Sequence, residues 1–228
     1  MNATTSPGEP PGDCPLCARL AEFRRANRKK YPDYFNDPVP GFGDPNGRLL
    51  IVGLAPGLHG ANRTGRPFTG DYAGDLLYSS LLRQGLARGT YDQRADDGLE
   101  LVDCMITNAV RCVPPDNKPL PAEINTCRQF LSGQIMAMPN LRAILTLGRI
   151  AHESVCRALS VPLRAHPFAH GATHRTEKLT LVASYHCSRY NTNTGVLTPA
   201  MFEDALIMAR ESALGKPESC TRATHASK

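Results

Sequence analysis

Four cysteines are spaced so that they can hold a metal centre. Cys14 and Cys17 form a Cys-x-x-Cys pair at the head of the basic segment ARLAEFRRANRKK, Cys112 lies in RCVPP and Cys127 in INTCRQF. Four thiolates from three segments suit either a structural zinc ion or a [4Fe–4S] cluster, and spacing does not choose between them. Burial as small apolar residues is the alternative for Cys112 and Cys127. Packing is the reading for Cys104, Cys156, Cys187 and Cys220. A thioredoxin-like redox pair would follow a strand, whereas Cys14 and Cys17 precede every strand signal in the chain.

Three further stretches carry polar groups at the ends of apolar runs. The first, GLAPGLHGANRTGRPFTGD, runs from Gly53 to Asp71 and places one aromatic ring (Phe68), two guanidinium groups (Arg63, Arg66) and one carboxylate (Asp71) in close succession. Such a set can stack a base, hold phosphates and position water. It lacks the Gly-Lys-Ser/Thr of a Walker loop and the G-x-G-x-x-G of a dinucleotide fold, which removes the main support for nucleotide hydrolysis. A solvated loop with Phe68 pinned in the core is the plain alternative. The second stretch, ITNAVRC, ends an apolar run in Asn108, whose amide can offer a donor and an acceptor to a base edge and, if buried, needs partners. A local turn or cap is the commoner fate of asparagine. The third, HCSRYNTNTG, opens with His186, a donor toward developing negative charge, followed by Ser188, Arg189 and Asn191 as candidate phosphate contacts. Lys118 joins that basic set.

The elements that would position these groups are legible as pattern. Four β-branched or apolar runs, at residues 48–54, 103–110, 142–147 and 179–185, read as buried parallel strands. Between them, residues 74–86, 121–138 and 149–159 carry apolar side chains at helical spacing, with a last helix over 199–214. Alternating strands and helices predict a three-layer α/β/α sandwich with a central four-stranded parallel sheet. Ligands in such sheets sit beyond the carboxyl ends of the strands, which selects the loops starting at Ala55, Asn108, Gly148 and His186. The chain is long enough for one domain, expected over residues 14–214, with disordered tails at 1–13 and 215–228 that are poor in apolar residues. The formal charge of +5 permits an anionic partner without requiring one. No run is long and apolar enough to span a bilayer, and the N-terminus lacks a secretory signal, so a cytoplasmic location is expected.

GLAPG, HGANRTGRPFTGD, ITNAVRC, the four-cysteine layout and HCSRYNTNTG, in this order, resemble the uracil-DNA glycosylase superfamily, specifically its iron–sulfur type B branch, or family 5. The resemblance covers the chain from Cys14 to about Asn193. It implies a monofunctional, monomeric, nucleoid-associated DNA-repair enzyme that cuts uracil, and other deaminated bases such as hypoxanthine or xanthine, out of DNA. It implies a [4Fe–4S] cluster on Cys14, Cys17, Cys112 and Cys127. Phe68 would stack on the flipped base, Asn108 would read its edge with Gly53 and Gly57 beside it, and His186 would face the base oxygen where charge develops. Arg63, Arg66, Ser188, Arg189 and Asn191 would hold the DNA. The family motif usually places an acidic or amide side chain in the first loop to position water, whereas this sequence has Leu54 and Ala55; that fits type B and leaves Asp71 as the candidate. Two rivals come from other classes: a non-enzymatic zinc module binding nucleic acid through its basic helix, and an electron-transfer protein.

Overall fold

A computed structural model describes residues 8–216; Cys220 lies outside them. In chain order it contains α1 (Ala18–Lys30), β1 (Phe42–Gly43), β2 (Leu49–Gly53), α2 (Ala61–Thr64), α3 (Tyr72–Arg83), β3 (Ala87–Arg88), β4 (Glu100–Leu101), β5 (Cys104–Asn108), α4 (Pro121–Ala137), β6 (Ala143–Leu147), α5 (Arg149–Ala158), β7 (Thr173–Arg175), β8 (Thr180–Ser184), α6 (Arg189–Asn193) and α7 (Pro199–Leu214).

The sheet runs β1-β5-β2-β6-β8-β7. Its four central strands are parallel and are the four apolar runs of the sequence; β2 and β6 are buried at every position because helices cover both faces. The sheet has six strands rather than the expected four. The two additions, β1 and β7, pair antiparallel at the edges and are only 2 and 3 residues long, too short to carry a period-two pattern. A separate small hairpin joins β3 to β4.

One face of the sheet packs against α3 and α7 through Leu77, Leu81, Phe202 and Leu206. The other packs against α4 and α5 through Leu131, Val155 and Cys156. A third, smaller apolar cluster joins α1, the end of β5 and α4 through Leu20, Val110, Cys112, Ile124 and Cys127. Residues 8–13, read as part of a tail, contribute contacts here: Glu9 pairs with the buried Arg111 at 3.0 Å, and Arg111 also donates to Gln134.

Register decides what meets beyond the strand ends. Gly53, the last residue of β2, lies opposite Asn108, the last of β5. The loops after β2, β5 and β8 therefore start at one level.

Candidate active site

These loops enclose an open cavity of about 650 Å³, lined among others by Ala55, Gly57, Phe68, Asp71, Asn108, Asn117, His186 and Arg189. Phe68 enters it from the first loop in a left-handed backbone conformation, φ 53°, which a bulky non-glycine residue adopts only when its surroundings enforce it. Here α3 does so. Tyr78 Oη donates to the Pro67 carbonyl at 2.6 Å, Tyr91 Oη donates to the Phe68 carbonyl, and Gly74 lets the helix approach so closely that a Cβ there would sit 1.8 Å from the Phe68 oxygen. The ring is buried in the core on one side and borders the cavity on the other. It lies against Gly53, where a Cβ would come within 2.5 Å of both Phe68 Cζ and Asn108 Oδ1. Glycine at the end of β2 is thus what allows ring and amide to share one wall.

Asn108 is 3 % exposed and its Oδ1 has no hydrogen-bond partner among the described residues. Orphaning a buried amide oxygen costs about 1–3 kcal/mol, so a group kept this way points to a ligand that supplies the missing donor. His186 follows β8 and faces Phe68, ring centroids 5.9 Å apart and 29° between planes. Burial pushes its pKa down to about 4, so the imidazole is neutral near pH 7 and offers one N–H donor. Asn191 holds the backbone behind it by donating to the His186 carbonyl at 2.8 Å.

Asp71 caps α3, its Oδ1 accepting from the Gly74 N–H at 3.1 Å, while Oδ2 packs against Gly60 and lies near Gly57, all three lining the cavity. Burial raises its pKa above the ordinary carboxylate range, opposed by the N–H groups of Gly74 and Ala73. Ala55 lines the cavity and also touches the Cys112–Cys127 cluster, so one residue separates the two layers.

All four of Cys14, Cys17, Cys112 and Cys127 line one narrow apolar pocket behind that wall. Arg24 Nη1 lies 3.4 Å from Cys112 Sγ, and the Arg111 backbone N–H donates to Cys127 Sγ at 3.3 Å. Among the described residues no group of three or more His, Cys, Asp or Glu is arranged to hold a single metal ion. Cys104, Cys156 and Cys187 are fully buried packing residues.

A model of the family described as the uracil DNA glycosylase superfamily matches residues 40–210. The chain belongs to that superfamily. It is 45 % identical over 206 residues, covering 88 % of this chain and 94 % of the relative, to a protein of Thermus thermophilus named type-5 uracil-DNA glycosylase. A protein of the same name from Pyrobaculum aerophilum is 38 % identical, covering 88 % and 89 %. A type-4 uracil-DNA glycosylase of that organism matches less of the chain, 37 % identity over 54 % of it. Within the superfamily the chain therefore stands with the type-5 branch.

Measured against the expectations for this glycosylase family, Phe68, Asn108, His186, Asp71, Ala55 and Gly57 all line one cavity, and Gly53 backs it. Arg189 and Ser188 stand at its edge; the Ser188 hydroxyl also caps α6, accepting from the Asn191 N–H. Arg63 is exposed nearby. Arg66 is a correction. It is buried, paired with Asp97 through two hydrogen bonds of 2.8 and 2.7 Å and packed over Phe42, Tyr78 and Tyr91, so it holds the loop from inside and does not reach a phosphate. The sequence reading missed Leu58, His59, Tyr72 and Asn117 as lining residues. For Asn117 a sequence signal existed, the proline-rich stretch between two metal-candidate cysteines; the structure places it there at φ 56° next to Asp116 at φ 55°.

Proposed function

We propose that this chain hydrolyses the N-glycosidic bond of deoxyuridine in DNA, releasing uracil and leaving an abasic site, and that it accepts other deaminated bases, hypoxanthine and xanthine among them. The observation that carries the reading is the meeting of the Phe68 ring, the unpartnered Asn108 amide and the neutral His186 imidazole around one cavity. A base in a duplex is out of reach of such a site and is extruded at a cost of about a few kcal/mol, least for a mispaired base. Deaminated bases are mispaired. The extruded ring stacks on Phe68, and its Watson–Crick edge takes the hydrogen bonds that Asn108 lacks. As the bond to C1′ breaks, its electron pair moves onto the base, the sugar becomes oxocarbenium-like, and water adds at C1′, the proton it gives up ending on the departing base anion. A neutral His186 donates to the growing negative charge, as do the N–H groups of Ala55 and Gly57. Donors held in place in this way contribute about 3 kcal/mol each. Asp71 orients the water or offsets the sugar's positive charge. A cavity of about 650 Å³ leaves room for a purine as well as a pyrimidine.

The four cysteines fit a [4Fe–4S] cluster: Cys14 and Cys17 come from the segment leading into α1, Cys112 from the loop after β5 and Cys127 from α4, they share one apolar pocket, and two N–H donors approach their sulfurs. A bound cluster would tie those three segments together. We assign it a structural role, and the steps at the base need none of its chemistry. Among the described residues no helix is long and apolar enough to cross a membrane.

The test is a panel of oligonucleotides, each with one deaminated base, assayed for abasic sites, beside metal analysis of the same preparation. Abasic sites at uracil with iron and inorganic sulfide are expected. Stoichiometric zinc and no base release would support the zinc module instead.

A further inference from the structure

An exposed side chain at the rim of the cavity is held more firmly than exposed side chains are. His59 lines the mouth and is open to solvent. Its Nδ1 is hydrogen-bonded to Tyr34 Oη at 3.0 Å, and its ring stands edge-on to both Tyr31 and Tyr34, at 5.6 and 6.0 Å. Those tyrosines stack on one another, centroids 4.8 Å apart and 14° between planes. The brace is anchored in turn: the Phe35 and Asn36 N–H groups donate to the Arg63 and Asn62 carbonyls, and Asn62 Nδ2 donates to Asn36 Oδ1 at 2.9 Å. Freezing an exposed ring sacrifices side-chain entropy and buries little. Two cations stand by this aromatic group: Lys30 Nζ lies 5.2 Å from the Tyr31 ring centre, and the exposed Arg63 donates to the His59 carbonyl at 2.9 Å.

A rigid, solvent-facing aromatic ring flanked by cations is the arrangement by which proteins hold unpaired nucleotides, because every base has a stacking face and every nucleotide a phosphate. We propose that His59 is the stacking platform for the nucleotide next to the extruded one, with Arg63 and Lys30 toward its phosphates, so that this flank of the DNA is held as single strand. The proposal rests on the reading of the cavity as a base pocket. Tyr34 acts through His59, as a positioning residue.

Binding separates the two readings. Single-stranded oligonucleotides carrying a fluoro-substituted deoxyuridine whose glycosidic bond resists cleavage are made with both neighbours intact, or with an abasic spacer on one side or the other, and titrated by fluorescence anisotropy. Wild-type protein should lose affinity about tenfold with the spacer on one side only, the size of a base-on-aromatic stack. His59→Ala should lose the same on intact DNA and nothing further on that spacer DNA, with Tyr34→Phe between the two. Equal weakening of intact and spacer DNA by His59→Ala, or none on either, overturns the platform. Uracil release from ordinary deoxyuridine DNA is followed in parallel: a side-specific spacer penalty without release supports the platform and overturns the excision reading.

Discussion

Two side chains in the cavity make opposite use of burial, and each gives a distinct expectation. The His186 ring lies at the cavity wall, where burial holds it neutral down to about pH 4. It should therefore act as a neutral donor: the single-turnover excision rate should not rise as pH falls from 8 to 5, and any acid loss above about pH 4 belongs to the Asp71 carboxyl, whose pKa burial raises; a rate that rises as pH falls through about 6.5 would show the imidazolium to be the working form. The unfolded chain takes up that proton first, near 6.5, so the stabilising contribution of the neutral ring is whole above 6.5 and is lost as pH falls from there to 4. His186→Ala should slow single-turnover excision on the order of 100-fold, the cost of removing one preorganised donor, with DNA affinity nearly unchanged; an unaltered rate would take His186 out of the chemistry. Asn108 is the inverse case. Among the described residues its Oδ1 is buried without a partner, so under the proposed function the amide contributes recognition rather than stability. Asn108→Ala should cut excision by at least about tenfold, since about 1–3 kcal/mol of hydrogen bonding to the base is lost, while the melting temperature holds or rises. A marked fall in melting temperature would mean that the amide serves the fold.

At the scale of elements, what the sequence disclosed and what it hid follow from length and from partners. The four central strands are legible because a strand covered on both faces is a continuous apolar run, as in LLIVG and AILTL. Helices α3, α4, α5 and α7 are legible from helical spacing, and α1 as a basic segment following the Cys-x-x-Cys pair. The edge strands were not, being 2 and 3 residues long. Within the site, Asn108 and His186 stood out because strand ends in an open sheet converge on one side. Arg63 and Arg66 could not be told apart, because the carboxylate that claims Arg66 lies 31 residues away in Asp97. The strain at Phe68 was hidden too, since it depends on α3 pressing against the loop. That contact is testable. Alanine is favoured over glycine inside a helix by about 1 kcal/mol, so propensity alone would have Gly74→Ala stabilise α3. A Cβ there would sit 1.8 Å from the Phe68 carbonyl oxygen, a backbone atom that cannot swing aside. The overlap should win, lowering the melting temperature and slowing excision as Phe68 is displaced. A higher melting temperature with an unchanged rate would show that α3 does not hold the ring.

For the whole molecule, the formal charge of +5 is a weak statement until each cation is placed. Several arginines serve the fold rather than an anion: Arg111 is buried against Glu9 and Gln134, Arg19 pairs with Glu123, and Arg66 holds the Asp97 carboxyl well below the usual carboxylate range. The cations left for DNA surround the cavity mouth, Arg63 on one side and Arg189, 5.3 Å from the Tyr72 ring centre, on another, with Lys118 exposed beyond Asn117. Salt separates the two kinds. A phosphate contact releases counterions on binding, so losing one should flatten the plot of log Kd against log salt by about 0.9. Arg63→Ala and Arg189→Ala should each do this, weakening binding to all sequences alike and leaving the folding stability within about 0.5 kcal/mol of wild type. Arg66→Gln should leave the slope untouched while destabilising the protein by about 3–5 kcal/mol, because it strands a buried carboxylate. If instead Arg66→Gln flattens the slope and the fold is unharmed, the guanidinium leaves Asp97 when DNA binds, and the loop around Phe68 rearranges to meet its substrate.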